Sequence, residues 1–515
     1  MDPRREMNGS DQRRAMPAAG VLFLGLAILL ARSTIAQSYD ARWIGGYAGG
    51  QGSAEFGGNK TLFLESNNTY TLPEPHTWHL RAGMAVITDE QDSILAYTDG
   101  WRLINAAHQQ MLNGDGLNPT TFVSMNTGMA APWSNLFLPW PERPDSIVLV
   151  HVSPDTISST NALHSKQIYY SVVVRDLDAP GLAGVASKNN TLHHAPHIQG
   201  GLCAVKHANG RDWWVLSHEY GSDRFVRFLL SPAGFSSPYY QAIGSILNGS
   251  VPGPSFSMQG DRLAYGHFQT GLDIFDFDRC TGLLANRRNV GFADQAFFRN
   301  AQFSADGQKL YVPGGIYLYQ LSLDQNGDVA AMDTVAFYDG FYDDNPVFAT
   351  YFVNPMLARD GRIYISTGNS TRYMHVVHEP DELGTACNVE QHGHHRVTWT
   401  TNSIPYRPNY LLGPVPGSEC DSLGLSTGGL EPYPVGGVRV HPNPSQGLFN
   451  ITYSGQPVGG EITVLDAAGR IVYHHRLSAW STLHQVELPP VAPGLYHCRL
   501  TWGAKAATLR VVITE

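Results

Sequence analysis

The stretch Ser304–Val312, "SADGQKLYV", holds a turn and a strand in nine residues. Asp306-Gly307 supplies the polar, φ-permissive pair that a tight turn needs, and Leu310-Tyr311-Val312 supplies the β-branched and aromatic run that follows it. The same phrase recurs along the chain: "ITDEQDSILAY" (Ile87–Tyr97), "ERPDSIVLV" (Glu142–Val150), "HANGRDWWVL" (His207–Leu216), "SMQGDRLAYG" (Ser257–Gly266) and "ARDGRIYIS" (Ala358–Ser366). Measured at Asp92, Asp145, Gly210, Gly260, Gly307 and Gly361, the intervals are 53, 65, 50, 47 and 54 residues. Further strands follow several of these turns, as in "LDIFDFDRCTG" (Leu272–Gly282) and "IYLYQLSLDQNGD" (Ile316–Asp328). Four strands in roughly fifty residues is the spacing of a β-propeller blade, and it exceeds the spacing of strands in a sandwich.

Six units are visible in this way, and a seventh is predicted by joining the two ends of the region. "GGNKTLFLESNNTYTL" (Gly57–Leu72) and "HHRVTWTTNSI" (His394–Ile404) would share one blade, closing the ring without a long free edge. Composition agrees with an all-β chain. The 515 residues include 53 glycines and 32 prolines but only 15% charged side chains, too few to wet the outer faces of many helices. The net charge of −10 argues against a nucleic-acid or anionic-membrane partner.

The organisation reads in four parts. Arg13 and Arg14 precede 14 apolar residues, Ala18–Ala31, followed by small residues up to Gln37. That run is too short to span a bilayer, so residues 1–36 are predicted to be a removable export signal, and no later segment reads as membrane-spanning. Residues 37–412 form the propeller. Residues 413–437 hold 14 Gly, Pro or Ser in 25 positions and read as a linker. Residues 438–515 alternate clearly: Phe449, Ile451 and Tyr453 share one strand face, as do Leu509, Val511 and Ile513. Gly469 in "DAAGR" stands where a hairpin needs a positive φ, and Cys498 faces the core of what reads as a small Ig-like antiparallel sandwich.

"VHPNPSQGLFNI" (Val440–Ile451), "ITVLDAAGRIVY" (Ile462–Tyr473), "LPPVAPGLYHCRL" (Leu488–Leu500) and "ATLRVVITE" (Ala507–Glu515) resemble, in order and spacing, the C-terminal sorting domain of type IX secretion substrates. His441 stands where that family usually has an aromatic residue. The resemblance implies Sec export to the periplasm of a Gram-negative bacterium, then passage through the outer membrane by the type IX machinery. The product is released or held at the cell surface. "HANGRDWW", "FDFDRCTG" and "RPNYLLGPVPGSECDSLG" resemble, more loosely, the WD-repeat-like or quinoprotein-like regions that precede such domains. That likeness implies a fold and no chemistry.

Candidate sites are sparse. "YDGFYDDNP" gathers Asp339, Asp343 and Asp344, whose carboxylates could hold Ca2+, although their order is not that of an EF-hand. Of five cysteines, Cys387 and Cys420 bracket the end of the large region and are the first candidates for a disulfide. His193 and His197 are four apart, but Pro196 excludes a helix, and they read as an exposed loop. His392 and His394 fall on one side of a solvated strand by alternation. "GLSTG" (Gly424–Gly428) matches a nucleophile elbow in letters only, since no strand precedes it and no helix follows. Trp213 and Trp214 point to opposite faces and read as blade core. The leading expectation is a secreted or surface-displayed binding module for a glycan or protein, without catalysis. The alternatives are a hydrolase or lyase with its site at the channel, with His218, Asp343 and His378 as conceivable members, and a structural surface component.

Overall fold

The computed structural model describes residues 39–514, apart from 48–53, 64–68, 90–91, 121–130, 157–162, 250–252, 268–270, 293–299, 344–347, 369, 401–403, 422–437, 454, 457, 467–468 and 504. The expected signal sequence and the "GLSTG" match lie outside the described residues. Among the described residues no helix is long and apolar enough to cross a membrane.

Among the described residues, those of 42–400 form seven small antiparallel sheets, numbered here as blades one to seven in chain order. Their first strands are Arg42–Gly46, Ala85–Thr88, Asn135–Pro139, Cys203–Lys206, Ser255–Phe256, Gln302–Phe303 and Pro355–Leu357; the later strands follow outward in sequence order, except that in blade four Gly234–Phe235 and Tyr239–Leu247 both pair with Ser222–Ser231. All six turns singled out by the repeat lie between the first and second strands of blades two to seven. The repeat therefore reads the blades in correct phase. Hydrophobic side chains on blade faces pack against the neighbouring blade. Phe225 of blade four meets Tyr265 and Phe275 of blade five edge-on at 5.1 and 5.6 Å, and Tyr364 of blade seven meets Phe63 beside blade one at 5.3 Å.

Closure differs from the expectation. The first sheet is built wholly from Arg42–Gly46, Gly58–Leu62 and Tyr70–Glu74, while Val389–Thr400 is the outermost strand of blade seven. The two ends meet face to face instead of sharing a sheet: Asn59 Nδ2 donates to Thr398 Oγ1 at 2.7 Å, and Thr71 Oγ1 lies 2.9 Å from His394 Nε2. The early strands pair with each other in full register, and the last strand packs across their face instead of adding to their edge.

The centre of the ring is filled by its own chain. Residues 404–413, which follow the last blade, carry buried Ile404, Tyr406, Tyr410 and Leu412. The Tyr410 hydroxyl donates to Phe137 O of blade three at 2.9 Å, and its ring meets Tyr39 at 5.4 Å and Trp213 at 5.8 Å. Tyr406 meets Trp133 at 6.1 Å. Arg407 pairs with Asp40, and Asn409 Nδ2 donates to Met258 O at 2.8 Å. One segment thus touches groups from blades three, four and five and the entry to blade one, as a pin through a ring would. Trp133 crowds the axis further, because a Cβ at Gly253 would lie 2.0 Å from its indole. Only glycine allows that approach.

The stretch read as a linker stays packed through Asp421. Val415 N donates to Ala208 O at 2.8 Å, and Cys420 is bonded to Cys280 in the turn after strand Gly271–Asp278. This corrects the Cys387–Cys420 expectation. Cys387 is a free, buried thiol hydrogen-bonded to Tyr311, whereas Cys280 lies where the chain leaving the ring's centre passes over blade five. Cys203 and Cys498 are also free and buried.

The terminal module is a two-sheet sandwich: Arg439–His441, Leu448–Thr452 and Leu483–Glu487 face Ile471–Leu477, Gly460–Leu465, Gly494–Trp502 and Lys505–Ile513. Phe449, Ile451, Ile462, Val464, Cys498 and Val511 form its core, as the alternation predicts, and Gly469 takes φ 77°.

Candidate functional site

Strand Val329–Phe337 is the outer edge of blade six, and the chain after it crosses to the first strand of blade seven. That crossing begins an aromatic surface. Phe337 is 57% exposed, Tyr342 44%, Ile316 38% and Tyr351 37%, far more than rings of a folded core. They form one patch. Tyr338 N donates to Ile316 O at 2.8 Å, and the Tyr338 ring meets Tyr351 at 5.0 Å and Tyr342 at 6.5 Å. Phe337 packs edge-on against Tyr317 at 5.2 Å, and Phe352 N donates to Gly315 O at 2.8 Å, tying the two blades together beneath the patch.

Polar groups fix the platform at its margin. Asp339 Oδ2 lies 2.7 Å from His392 Nε2, and Gln391 clamps the same turn by donating to Phe337 O at 2.9 Å and accepting from Asp339 N at 3.2 Å. The His392 ring lies over Phe341 at 4.3 Å. Behind it, buried His375 accepts at Nδ1 from His392 N (3.1 Å) and so must donate from Nε2 to Thr350 O (2.8 Å). That tautomer is neutral, and burial pulls the His375 pKa down to about 4. Hence the platform rests on a bonded, uncharged support. Tyrosine and phenylalanine held this way offer flat apolar faces with few rotamers to freeze, and the nearby hydroxyl, carboxylate and amide groups give hydrogen bonds at the edge.

The acidic residues of the same loop have other roles. Asp343 is fully buried and accepts from Arg372 N at 2.6 Å and Arg372 Nη2 at 2.9 Å, while Asp339 is held by His392. Asp344 lies outside the described residues. Among the described residues no three His, Cys, Asp or Glu side chains are grouped to hold a metal. The calcium expectation therefore loses two of its three carboxylates to partners within the chain, His392 and Arg372.

His218, Asp343 and His378 are each committed to a different partner. His218 Nδ1 bonds Glu219 O at 2.8 Å, Asp343 bonds Arg372, and His378 Nε2 lies 2.8 Å from Glu390. The His193/His197 pair is not an exposed loop. Both side chains are buried on strand Leu182–His197, with Nδ1 of one 2.7 Å from Nε2 of the other, and a chain of bonds runs on to Tyr240 at 2.9 Å and Ser217 at 3.3 Å. His392 and His394 do not share a face either. The ladder shifts register around them, so His394 turns to blade one and His392 to the aromatic patch. Trp213 and Trp214 are both buried, as expected. The platform itself was missed because attention to the carboxylates of "YDGFYDDNP" passes over the aromatic residues of "AFYDGFY" and "TYF" (Ala336–Tyr342 and Thr350–Phe352).

Residues 439–514 match the family model described as a secretion system C-terminal sorting domain. No curated protein matches the chain. Among solved structures, a protein from Lactobacillus plantarum is 12% identical, with 87% of this chain and 100% of that chain covered and a TM-score of 0.35. The Dos1 propeller is 11% identical, with 60% and 71% covered and a TM-score of 0.35. A gluconolactonase from Xanthomonas campestris is 12% identical, with 64% and 94% covered and a TM-score of 0.30. At these scores the fold rests on the chain's own strand pairing. The chain ends in a type IX sorting domain, which directs it to the cell surface or the extracellular space.

Proposed function

We propose that this secreted propeller is a binding module whose contact surface is the aromatic platform between blades six and seven, and that its ligand is a neutral polysaccharide. The observation that carries the reading is the exposure of Phe337, Tyr342, Tyr351 and Ile316 in one braced patch. Sugar rings present flat C–H faces that suit such side chains and hydroxyls that suit Asp339 and Gln391 at the margin. An anionic polymer fits less well, since Asp339 and Glu390 line that margin and the chain carries a net charge of −10. Filling of the channel by residues 404–413 supports binding over a hydrolase or lyase sited there.

The test is a neutral-glycan array probed with the intact chain, followed by titration of the best hit against Tyr342→Ala and Tyr351→Ala. Each change is expected to weaken binding by about 10- to 30-fold, the usual effect of removing an aromatic hot spot. Unchanged affinity in both variants, or product release from the glycan, would overturn the proposal.

A further inference from the structure

Ring and terminal module form one compact unit, Ile35–Glu515, and the contact between them is built around a single turn. Ser478–Thr482 joins the two sheets of the module. In it Trp480 takes φ 63°, a conformation a bulky side chain rarely adopts, with its N–H held by Gln456 O at 2.7 Å. The indole does not turn into the module. Trp480 and Ala479 belong to the apolar core of the ring, and Trp480 is only 9% exposed. Arg359, in the first turn of blade seven, donates from Nε to Thr482 Oγ1 at 2.7 Å and pairs with Asp92 in the first turn of blade two at 3.1 Å. A cleft at this end of the ring is lined by Met258, Ala305, Leu357, Leu411 and Arg407 together with Trp480. Arg407 and Leu411 belong to the central pin. The Trp480 turn thus covers the end of the ring from which the pin emerges.

We infer that Ser478–Thr482 is a latch: while the sorting domain is attached, its Trp480 turn is seated in the mouth of the ring, and whatever draws the domain away uncovers a pocket fitted to an aromatic side chain beside a hydroxyl. The present occupant specifies the chemistry of that pocket: apolar Met258, Ala305, Leu357 and Leu411 edged by Asp40, Arg407 and Asn409 for the indole, and the Arg359 guanidinium for the hydroxyl that follows two residues later. A sorting domain seated in this way is held by its carrier.

The test uses the full chain with Gly361→Cys and Ser478→Cys. A Cβ at 361 would lie 3.2 Å from that of Ser478, close to the separation a disulfide spans. Mild oxidation is expected to join the two in most molecules, read as a linked peptide by mass spectrometry, and adding Trp480→Gly is expected to slow the joining at least tenfold. Failure to link, or linking at the same rate without the indole, would overturn the latch. Residue 361 takes φ 84°, so the cysteine can disturb its turn. Hydroxyl-radical footprinting of the unaltered chain therefore asks the same question: Trp480 should oxidise nearly as slowly as Trp213, which is 1% exposed, and rapid oxidation would refute the seating.

Discussion

Lowering the pH from 7.5 to 4.5 is expected to unfold the ring, through histidines that the fold can hold only in the neutral form. Six buried histidines of the ring carry the effect: burial depresses the pKa of His151 and His197 to about 3, and of His76, His218, His375 and His394 to about 4. Geometry gives the same answer, since His375 and His76 accept backbone N–H bonds at Nδ1, a position a protonated ring cannot offer. The unfolded imidazole titrates near 6.5, so between that pH and the folded values the unfolded chain binds more protons, and stability falls as pH falls. At pH 5 each histidine costs about 2 kcal/mol relative to neutral pH, and six cost roughly 12 kcal/mol, comparable with a domain's whole stability. Buried Asp99 and the partly buried Asp360 and Asp381 act in the opposite sense, because desolvation raises their pKa values and proton uptake favours the fold. Asp381, pushed up to about 6 by burial and then by Asp306, returns only about 1 kcal/mol at pH 5. Near-ultraviolet circular dichroism during thermal melts should show the midpoint dropping steeply below pH 6.5, with an acid transition near pH 5 at room temperature. Calorimetry at pH 5.5 should record uptake of about five protons on unfolding. A melting temperature that stays level between pH 7.5 and 5, or uptake below two protons, would refute the reasoning.

Three further outcomes follow from the ring's centre and its margin. Tyr410→Ala removes a buried ring and its bond to Phe137 O, and should cost about 3–5 kcal/mol by chemical denaturation, while Tyr410→Phe should cost only about 1 kcal/mol. Cys280→Ser with Cys420→Ser opens a loop spanning 140 positions and should lose about 2–5 kcal/mol, whereas Cys387→Ser should leave the disulfide map unchanged on peptide mass analysis. Chelation with EDTA should shift the melting midpoint by less than about 1 °C, since Asp339 and Asp343 already bond to His392 and Arg372; a larger drop would restore the calcium reading.

What the sequence made legible was local. A turn such as Asp306-Gly307 followed by an apolar run declares itself within ten residues, so the phase of six blades could be read directly. Alternation likewise placed Phe449, Ile451 and Cys498 in the core of the sorting domain. The pin escaped because Pro405 and Pro408 punctuate it like a linker, and nothing in periodicity says that Tyr406 and Tyr410 will find a ring to enter. Cys280 escaped as the partner of Cys420 for a related reason: which turn lies under the departing chain is a property of the closed ring. The histidines were misread one by one because burial depends on neighbouring blades. His394 becomes a core residue only when Thr71, 323 positions earlier, arrives opposite it. The platform was visible as aromatic letters, but adjacency of Tyr338, Tyr342 and Tyr351 required the crossing between two sheets.

The order of pin, staple and tail along the chain has a mechanical consequence. Traction applied at the carboxyl end of a folded molecule reaches Cys420 before it reaches Leu412. The load therefore passes covalently through Cys280 into a hydrogen-bonded sheet of blade five, pulling on strands Gly271–Asp278 and Leu283–Val290, and the threaded aromatic residues are spared. A protein hauled by its last residues can then be drawn hard without being unplugged.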